Sequence, residues 1–290
     1  MTWTKAQLPR PASDFILVGE VGLAALGSEV ALVENGEVCE FFPVPAERFV
    51  RGAGEQVLVL SERDEEHIRT VHSLRVLTGE YRLLGRLRFD HWLDDHDDDT
   101  WVVSTWDTIR AYCWDSGTLK LLREYELFEP VRLERIPEGL FVEITSIGAH
   151  HYELRSYPQL DLLDSGDFPR LVGLDFPQEM GWYSIFALPP KPSLCTIAPF
   201  PGKSGGTSRL VELTGTCYCT LASQPAGLDR EGDQALVWSA NGEGMEFCRV
   251  DLKAAEVERW LLLDVKSACA RLHKGQALIA DSRGRLLRMP

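Results

Sequence analysis

Short apolar runs return along the whole chain at intervals of about forty residues, a spacing that only a fold built from repeated units accommodates. Three of them are near copies: Gln56-Val-Leu-Val-Leu-Ser61, Gln234-Ala-Leu-Val-Trp-Ser239 and Gln276-Ala-Leu-Ile-Ala-Asp281. Similar runs stand at Phe15–Val18, Trp101–Val103, Leu140–Val142 and Tyr183–Leu188. The second residue of each run falls at positions 16, 57, 102, 141, 184, 235 and 277, giving intervals of 41, 45, 39, 43, 51 and 42. Each run is continuously apolar, as a strand covered on both faces must be.

The stretch after each run is also regular: a half-polar strand, a tight turn and another strand. The turns read Glu34-Asn35-Gly36-Glu37, Leu77-Thr78-Gly79-Glu80, Asp115-Ser116-Gly117-Thr118 and Leu213-Thr214-Gly215-Thr216. Outer strands of mixed character are expected at Tyr81–Arg88, Thr118–Tyr125 and Val257–Leu263. Long helical periodicity is absent. Four strands in a unit of this length describe a propeller blade. The expectation is therefore an all-β chain forming one domain over residues 1–290, a single β-propeller of seven four-stranded blades. The last unit supplies three strands before the chain ends, so part of Thr2–Leu8 is expected beside Arg285–Met289, closing the ring and removing two sheet edges.

One unit carries a motif as well as a period. Ser104-Thr-Trp-Asp-Thr-Ile-Arg-Ala-Tyr-Cys-Trp-Asp-Ser-Gly-Thr118 resembles a WD-repeat blade. Ser104, Asp107, Thr108 and Ile109 fall where that family places its serine, turn aspartate and strand start, and Trp114-Asp115 matches the dipeptide that ends the third strand. Ser282-Arg-Gly-Arg-Leu-Leu-Arg288 is a weaker echo. The chain departs from the family in lacking Gly-His dipeptides at the blade starts and in showing Trp-Asp at a strand end once. The resemblance implies a divergent WD-like propeller and, through the family's habits, a non-catalytic protein–protein interaction module within a larger assembly.

Composition narrows the partners. With 44 acidic against 30 basic residues the formal charge is −14, a field that repels nucleic acid and anionic lipid and favours another protein, one of basic character. No secretory signal and no membrane span are legible: Phe15–Val18 is flanked by Asp14 and Glu20, and Met180–Pro190 is too short. Seven scattered cysteines, most in apolar segments, point to reduced thiols and a cytoplasmic location.

The candidates for chemistry are few, and no catalytic residue, cofactor or metal ligand is assigned. Phe89–Thr100 packs six aspartates and two histidines together but lacks the bend glycine of a calcium loop, so Asp94–Asp99 is expected to be an exposed loop without an intrinsic metal, opening on the face opposite Trp106. Cys217 and Cys219, two apart in a strand, are expected in the core. His67, His72 and His273 are isolated. Gly202-Lys-Ser-Gly-Gly206 comes after prolines rather than a strand and is no phosphate loop. Trp101, Trp114, Trp238 and Trp260 are expected in the core, whereas Trp106 and Trp182 sit at expected turns, where an indole can anchor a partner.

The largest deviation from the repeat is the proline- and glycine-rich segment 189–207, expected as an insertion lying across the disc or against a partner, since its prolines do not suit a sheet ladder. Deviations from a repeat collect on binding faces. The expected partner surface is therefore Trp106, the His150–His151 turn, and Leu194, Ile197 and Phe200 of the insertion. Two other function classes fit a propeller of this composition: a metal-dependent hydrolase or lactonase with its cation in the axial channel, and an acidic inhibitor or immunity-type protein masking a basic partner.

Overall fold

The computed structural model describes residues 5–52, 54–97, 100–115, 117–136, 139–146, 149–167, 180–188, 191–199, 208–212, 217–221, 223 and 225–289. After β1 (Lys5–Gln7), the chain forms a sheet from β2 (Asp14–Val18), β3 (Val21–Ala25), β4 (Val30–Glu34) and β5 (Glu37–Phe42). The next comprises β6 (Arg48–Arg51), β7 (Gln56–Leu60), β8 (Ile68–Arg75) and β9 (Tyr81–Arg88), followed by β10 (His91–Trp92), β11 (Thr100–Ser104), β12 (Thr108–Asp115) and β13 (Thr118–Glu126). Then come β14 (Pro130–Ile136), β15 (Gly139–Ser146), β16 (Ala149–Arg155) and β17 (Leu162–Asp167), and β18 (Met180–Leu188), β19 (Lys191–Pro199), β20 (Ser208–Glu212) and β21 (Cys217–Leu221). A further sheet holds β22 (Pro225–Glu231), β23 (Gln234–Asn241), β24 (Gly244–Asp251) and β25 (Glu256–Leu263). The last combines β26 (Ala268–His273), β27 (Gln276–Asp281) and β28 (Arg285–Met289) with β1, which pairs antiparallel to β28 with Lys5 opposite Leu287 and Gln7 opposite Arg285. Every sheet is antiparallel and four-stranded, and together they are the blades of a single all-β propeller.

Burial tracks the sequence pattern. The runs Val57–Leu60, Trp101–Ser104, Ala235–Ser239 and Ala277–Asp281 are buried throughout, because second strands are covered by the neighbouring sheet on each side. The outer strands β9, β13 and β25 are largely exposed. The third-to-fourth strand hairpin at Glu34–Glu37 closes as expected: Asn35 and Gly36 both take positive φ (52° and 85°), the requirement of a two-residue turn matched to strand twist. At the opposite end, side-chain acceptors hold the second-to-third strand turns. Asp64 accepts from the amides of Glu66 and Ile68, Asn241 from Glu243 and Gly244, and Asp281 from Arg283 and Arg285. Trp101, Trp114 and Trp238 are core residues; Trp101 Nε1 donates to the Leu93 carbonyl at 3.0 Å and Trp238 Nε1 to Ala268 at 3.2 Å.

Four expectations are corrected. Phe15–Val18 and Tyr183–Leu188 belong to the first strands β2 and β18, not to second strands. In the β2–β5 sheet the first two strands are equally apolar, and Gly22 lets the Phe15 ring lie against the backbone, so the runs look alike. Within segment 189–207, the described part is not an insertion crossing the disc: Lys191–Pro199 is the ladder strand β19, between β18 and β20. Its prolines fit because Pro199 ends the strand and Pro192 sits at a register shift between Phe186 and Ala187, where a ladder bond is already lost. The extra length lies instead ahead of β18, at 168–179, outside the described residues. Trp182 stands inside β18 opposite Ala198 rather than at a turn. Finally, Cys217 and Cys219 part company at a bulge in β20–β21: Cys219 is buried and Cys217 exposed.

Three of the sheets are tied through their strands β2, β6 and β26 by Asp14, 1% exposed. Its carboxylate accepts from the Phe15 amide (2.9 Å), the Phe49 amide of β6 (2.8 Å) and both Nε and an Nη of Arg271 on β26 (2.9 and 2.7 Å). Burial works against the Arg271 charge, but Asp14, with Asp94 and Asp229 further off, outweighs it and raises the guanidinium pKa above its usual value. Replacing Asp14 by alanine leaves Arg271 charged and unpaired and strips two amides of their acceptor. A loss of about 3–5 kcal/mol is expected, as for other broken buried pairs, read from urea denaturation; Asp14→Asn should fall between wild type and alanine.

Candidate functional site

The second-to-third strand turn of the β10–β13 sheet projects Trp106. Thr105 closes this turn, its Oγ1 bonding Asp107 Oδ1 (2.9 Å) and Thr108 Oγ1 (2.6 Å). The connection from β13 to β14 is zipped onto the same turn: the Leu127 amide donates to the Asp107 carbonyl at 2.9 Å and the Glu129 amide to the Trp106 carbonyl at 2.8 Å. These bonds bring Phe128 edge-on to Trp106, ring centroids 5.7 Å apart. The two side chains are 60% and 61% exposed, a pair of large aromatics held by backbone bonds yet facing solvent. Phe128 was not among the expected site residues. Its signal was an aromatic in the three-residue connection Leu127-Phe128-Glu129, which the topology returns to the Trp106 face.

The other expected site residues are placed differently. His151, half-buried, and His150 lie within β16, opposite Ile144 and Thr145, so they belong to a ladder rather than a turn. The β15–β16 hairpin does put them at the same end of the strands as Trp106, one sheet further on. Leu194 and Ile197 are interior positions of β19, Leu194 opposite Phe186 and Glu212, Ile197 opposite Tyr183 and Arg209. They are not loop residues of the Trp106 face. Phe200 lies outside the described residues.

A second site, unexpected from the sequence, lies where the inner strands converge. A cavity of about 400 Å³ is lined by Arg51, Arg132, Arg135, Arg230 and Arg271. Asp94, Asp95, Glu134 and Asp229 share its wall, with His91, Trp92, Leu93, Leu133 and Leu228. The residues come from β6, β10, β14, β22 and β26 and from the β10–β11 loop, mostly near the first-to-second strand turns, the end opposite Trp106. Glu134 bridges Arg132 (3.2 Å) and Arg230 (3.5 Å). Arg135 reaches Asp97 at 2.7 Å and lies over the Tyr157 ring. Asp229 accepts the Leu272 amide at 2.5 Å. Arg51 of β6 donates to the Leu272 carbonyl of β26 at 2.9 Å.

The aspartate-rich stretch is therefore only partly the exposed loop that was expected. Asp94 and Asp97 are exposed, but Asp95 is half-buried in the cavity wall, and His96 is buried against Trp114, ring centroids 5.0 Å apart. The loop folds inward because it is clipped to β6: the Arg51 amide donates to the Asp94 carbonyl (2.9 Å), and the His96 amide donates to the Arg51 carbonyl (2.7 Å). Gly52 leaves room for the His96 ring, which a Cβ there would strike. Among the described residues no three of His, Cys, Asp or Glu are grouped to hold a metal ion. In the WD-like unit the Ser104 hydroxyl is buried with no hydrogen-bond partner among the described residues, so it joins no serine–histidine–aspartate network there.

Burial sets the titration of the cavity wall. It lowers His91, with Asp90 opposing, and lowers Arg132, with Glu134 opposing. It raises Asp229 against the pull of Arg271, and raises Asp95 against that of Arg135, with Asp94 adding repulsion. A carboxyl raised in the folded state binds its proton more tightly there than in the unfolded chain. Its contribution to stability is thus lost as pH rises from the ordinary value of 3.8 through the folded one. Asp95→Asn should accordingly raise the melting temperature at pH 7 by a few degrees, and the gain should vanish near pH 3, where wild-type Asp95 is neutral in both states. Thermal melts of both proteins across that range check the sign.

No protein-family model matches the chain, and no curated protein matches it. Solved structures do. Hydrazine synthase of Kuenenia stuttgartiensis superposes with a TM-score of 0.60 at 12% identity, covering 98% of this chain and 97% of that one. The WD40 domain of Neurospora crassa Pan2 gives 0.57 at 11% identity, with 98% and 94% covered. Saccharomyces cerevisiae Sqt1 gives 0.55 at 10% identity, with 99% of each covered. At such identities the likeness is one of fold. With the sheet topology above, it makes this chain a WD-repeat-like β-propeller.

Proposed function

We propose that the sheets are the seven blades of one closed ring, that residues 1–290 are one domain, and that the ring is a protein–protein interaction module within a larger assembly. The observation that carries the functional reading is the Trp106–Phe128 pair. An indole and a phenyl ring held in place by backbone bonds lose little side-chain freedom on docking, and such rigid aromatics dominate interface energetics. Around them Asp107 and Glu126 are exposed, and the whole chain carries −14. The partner surface that fits is an apolar pocket with a basic rim, because complementary charge steers encounter and excludes wrong partners. WD40 neighbours support the general reading, since propellers of that kind present their loops as binding surfaces. Cys39, Cys113, Cys217, Cys219, Cys248 and Cys269 are free thiols, and burial pushes Cys269 up to about 12, which suits a compartment where thiols stay reduced, the cytoplasm.

Two experiments test these proposals. Affinity purification from the native host should recover a partner that Trp106→Ala/Phe128→Ala loses by tenfold or more at an unchanged melting temperature; equal recovery by the double variant rejects this face. Ring closure is tested by removing residues 1–8. Ala6 and Leu8 are buried with Phe15, Leu17, Leu278 and Leu286, so the truncated chain should melt as a whole at lower temperature. Fraying confined to β28, seen by hydrogen exchange, would reject closure.

A further inference from the structure

An acidic chain that gathers five arginines in its central cavity has spent its positive charge selectively. Arg271 is held by Asp14 and Arg135 by Asp97, while Arg132 and Arg230 both reach the carboxylate of Glu134 and Glu143 also draws on Arg132. Arg51 differs. Its one side-chain hydrogen bond goes to a carbonyl, that of Leu272, it makes no ion pair among the described residues, and its Nε is buried without an acceptor. A guanidinium offers five donors in a planar fork, so Arg51 keeps most of its capacity for an incoming oxygen. Of the remaining wall carboxylates, burial pushes Asp95 and Asp229 towards the neutral form. Asp94 is exposed and stands within electrostatic reach of both Arg132 and Arg271.

We propose that the axial cavity is a binding site for a small oxyanion, a phosphate or carboxylate group, with Arg51, Arg132 and Arg230 as its guanidinium donors and Asp94 as the internal charge it competes with. The three arginines come from β6, β14 and β22, so the ligand is gripped from three different sheets, and bidentate guanidinium–oxyanion contacts are short and strong. A volume of about 400 Å³ admits a compact metabolite and excludes a folded partner. The site opens at the end opposite Trp106 and does not depend on the docking proposal.

Calorimetric titration of the full chain at constant ionic strength tests this with phosphate, pyrophosphate and citrate, chloride serving as control. At least one oxyanion should bind; pyrophosphate without citrate assigns a phosphate ligand, and citrate alone assigns a carboxylate. Arg51→Ala should weaken binding at least tenfold, whereas Asp94→Asn, which removes the competing charge, should tighten it several-fold. Asp94 makes no side-chain hydrogen bond to the described residues of the wall, so this second variant keeps the fold and decides the matter if Arg51→Ala proves unstable. No heat with any of the three anions, undiminished binding by a folded Arg51→Ala, or weaker binding by Asp94→Asn would each overturn the proposal.

Discussion

A single buried carboxylate holds the start, the second unit and the end of this chain together. Asp14 uses its two oxygens on four donors, one in its own strand, one at the head of β6 and two on Arg271 of β26. An isolated carboxylate at that depth would pay a large desolvation penalty; here a guanidinium and two amides supply the hydrogen bonds that water would otherwise give. The apolar clusters beside it cannot do the same work. Leu, Val and Ala pack wherever shape allows, whereas a bidentate ion pair accepts one geometry. Arg271 also donates to the Phe49 carbonyl at 3.3 Å, so the same pair fixes the direction in which β6 departs. From there the Arg51 backbone clips the β10–β11 loop and its side chain returns to Leu272.

Most of the strand architecture was legible because burial on two faces leaves a continuous apolar run. Gln56–Ser61, Gln234–Ser239 and Gln276–Asp281 could be read as second strands from their apolar runs alone, and Asn35-Gly36 as a hairpin from its chemistry. The reading failed where two adjacent strands are both buried, as in β2 and β3, and where prolines suggested a loop. Pro192 and Pro199 sit in β19 at a bulge and an end, and nothing in a local sequence says where a bulge will fall. The sites were less legible still. Trp106 could be picked out because an indole at a turn is unusual, but Phe128 becomes its neighbour only through two backbone bonds across a connection. The axial cavity was hidden altogether. Apart from Arg132 and Arg135, its arginines are separated by tens of residues and look like ordinary surface charges until the inner strands bring them to one place.

The outer strands set exposed apolar side chains among charged ones. Leu121, Leu122 and Tyr125 on β13 and Leu261 and Leu263 on β25 are exposed, each on a strand at the rim of its sheet. An apolar rim strand with free backbone groups is a template for pairing with another chain. Here it is interrupted by Lys120, Arg123 and Glu124 on one strand and by Glu258 and Arg259 on the other. Several of these are engaged across the sheet, Arg110 with Glu124, Arg249 with Glu258 and Arg259 with Glu246. Exposed pairs of this kind contribute only about 0–1 kcal/mol each to stability. Their larger effect is on association, because a second rim strand would have to strip water from every one of them and would meet the same excess of negative charge. The rim is thereby protected against nonspecific pairing, whereas at the strand ends the turns are held by Asp64, Asn241 and Asp281 and the Trp106–Phe128 pair stands exposed.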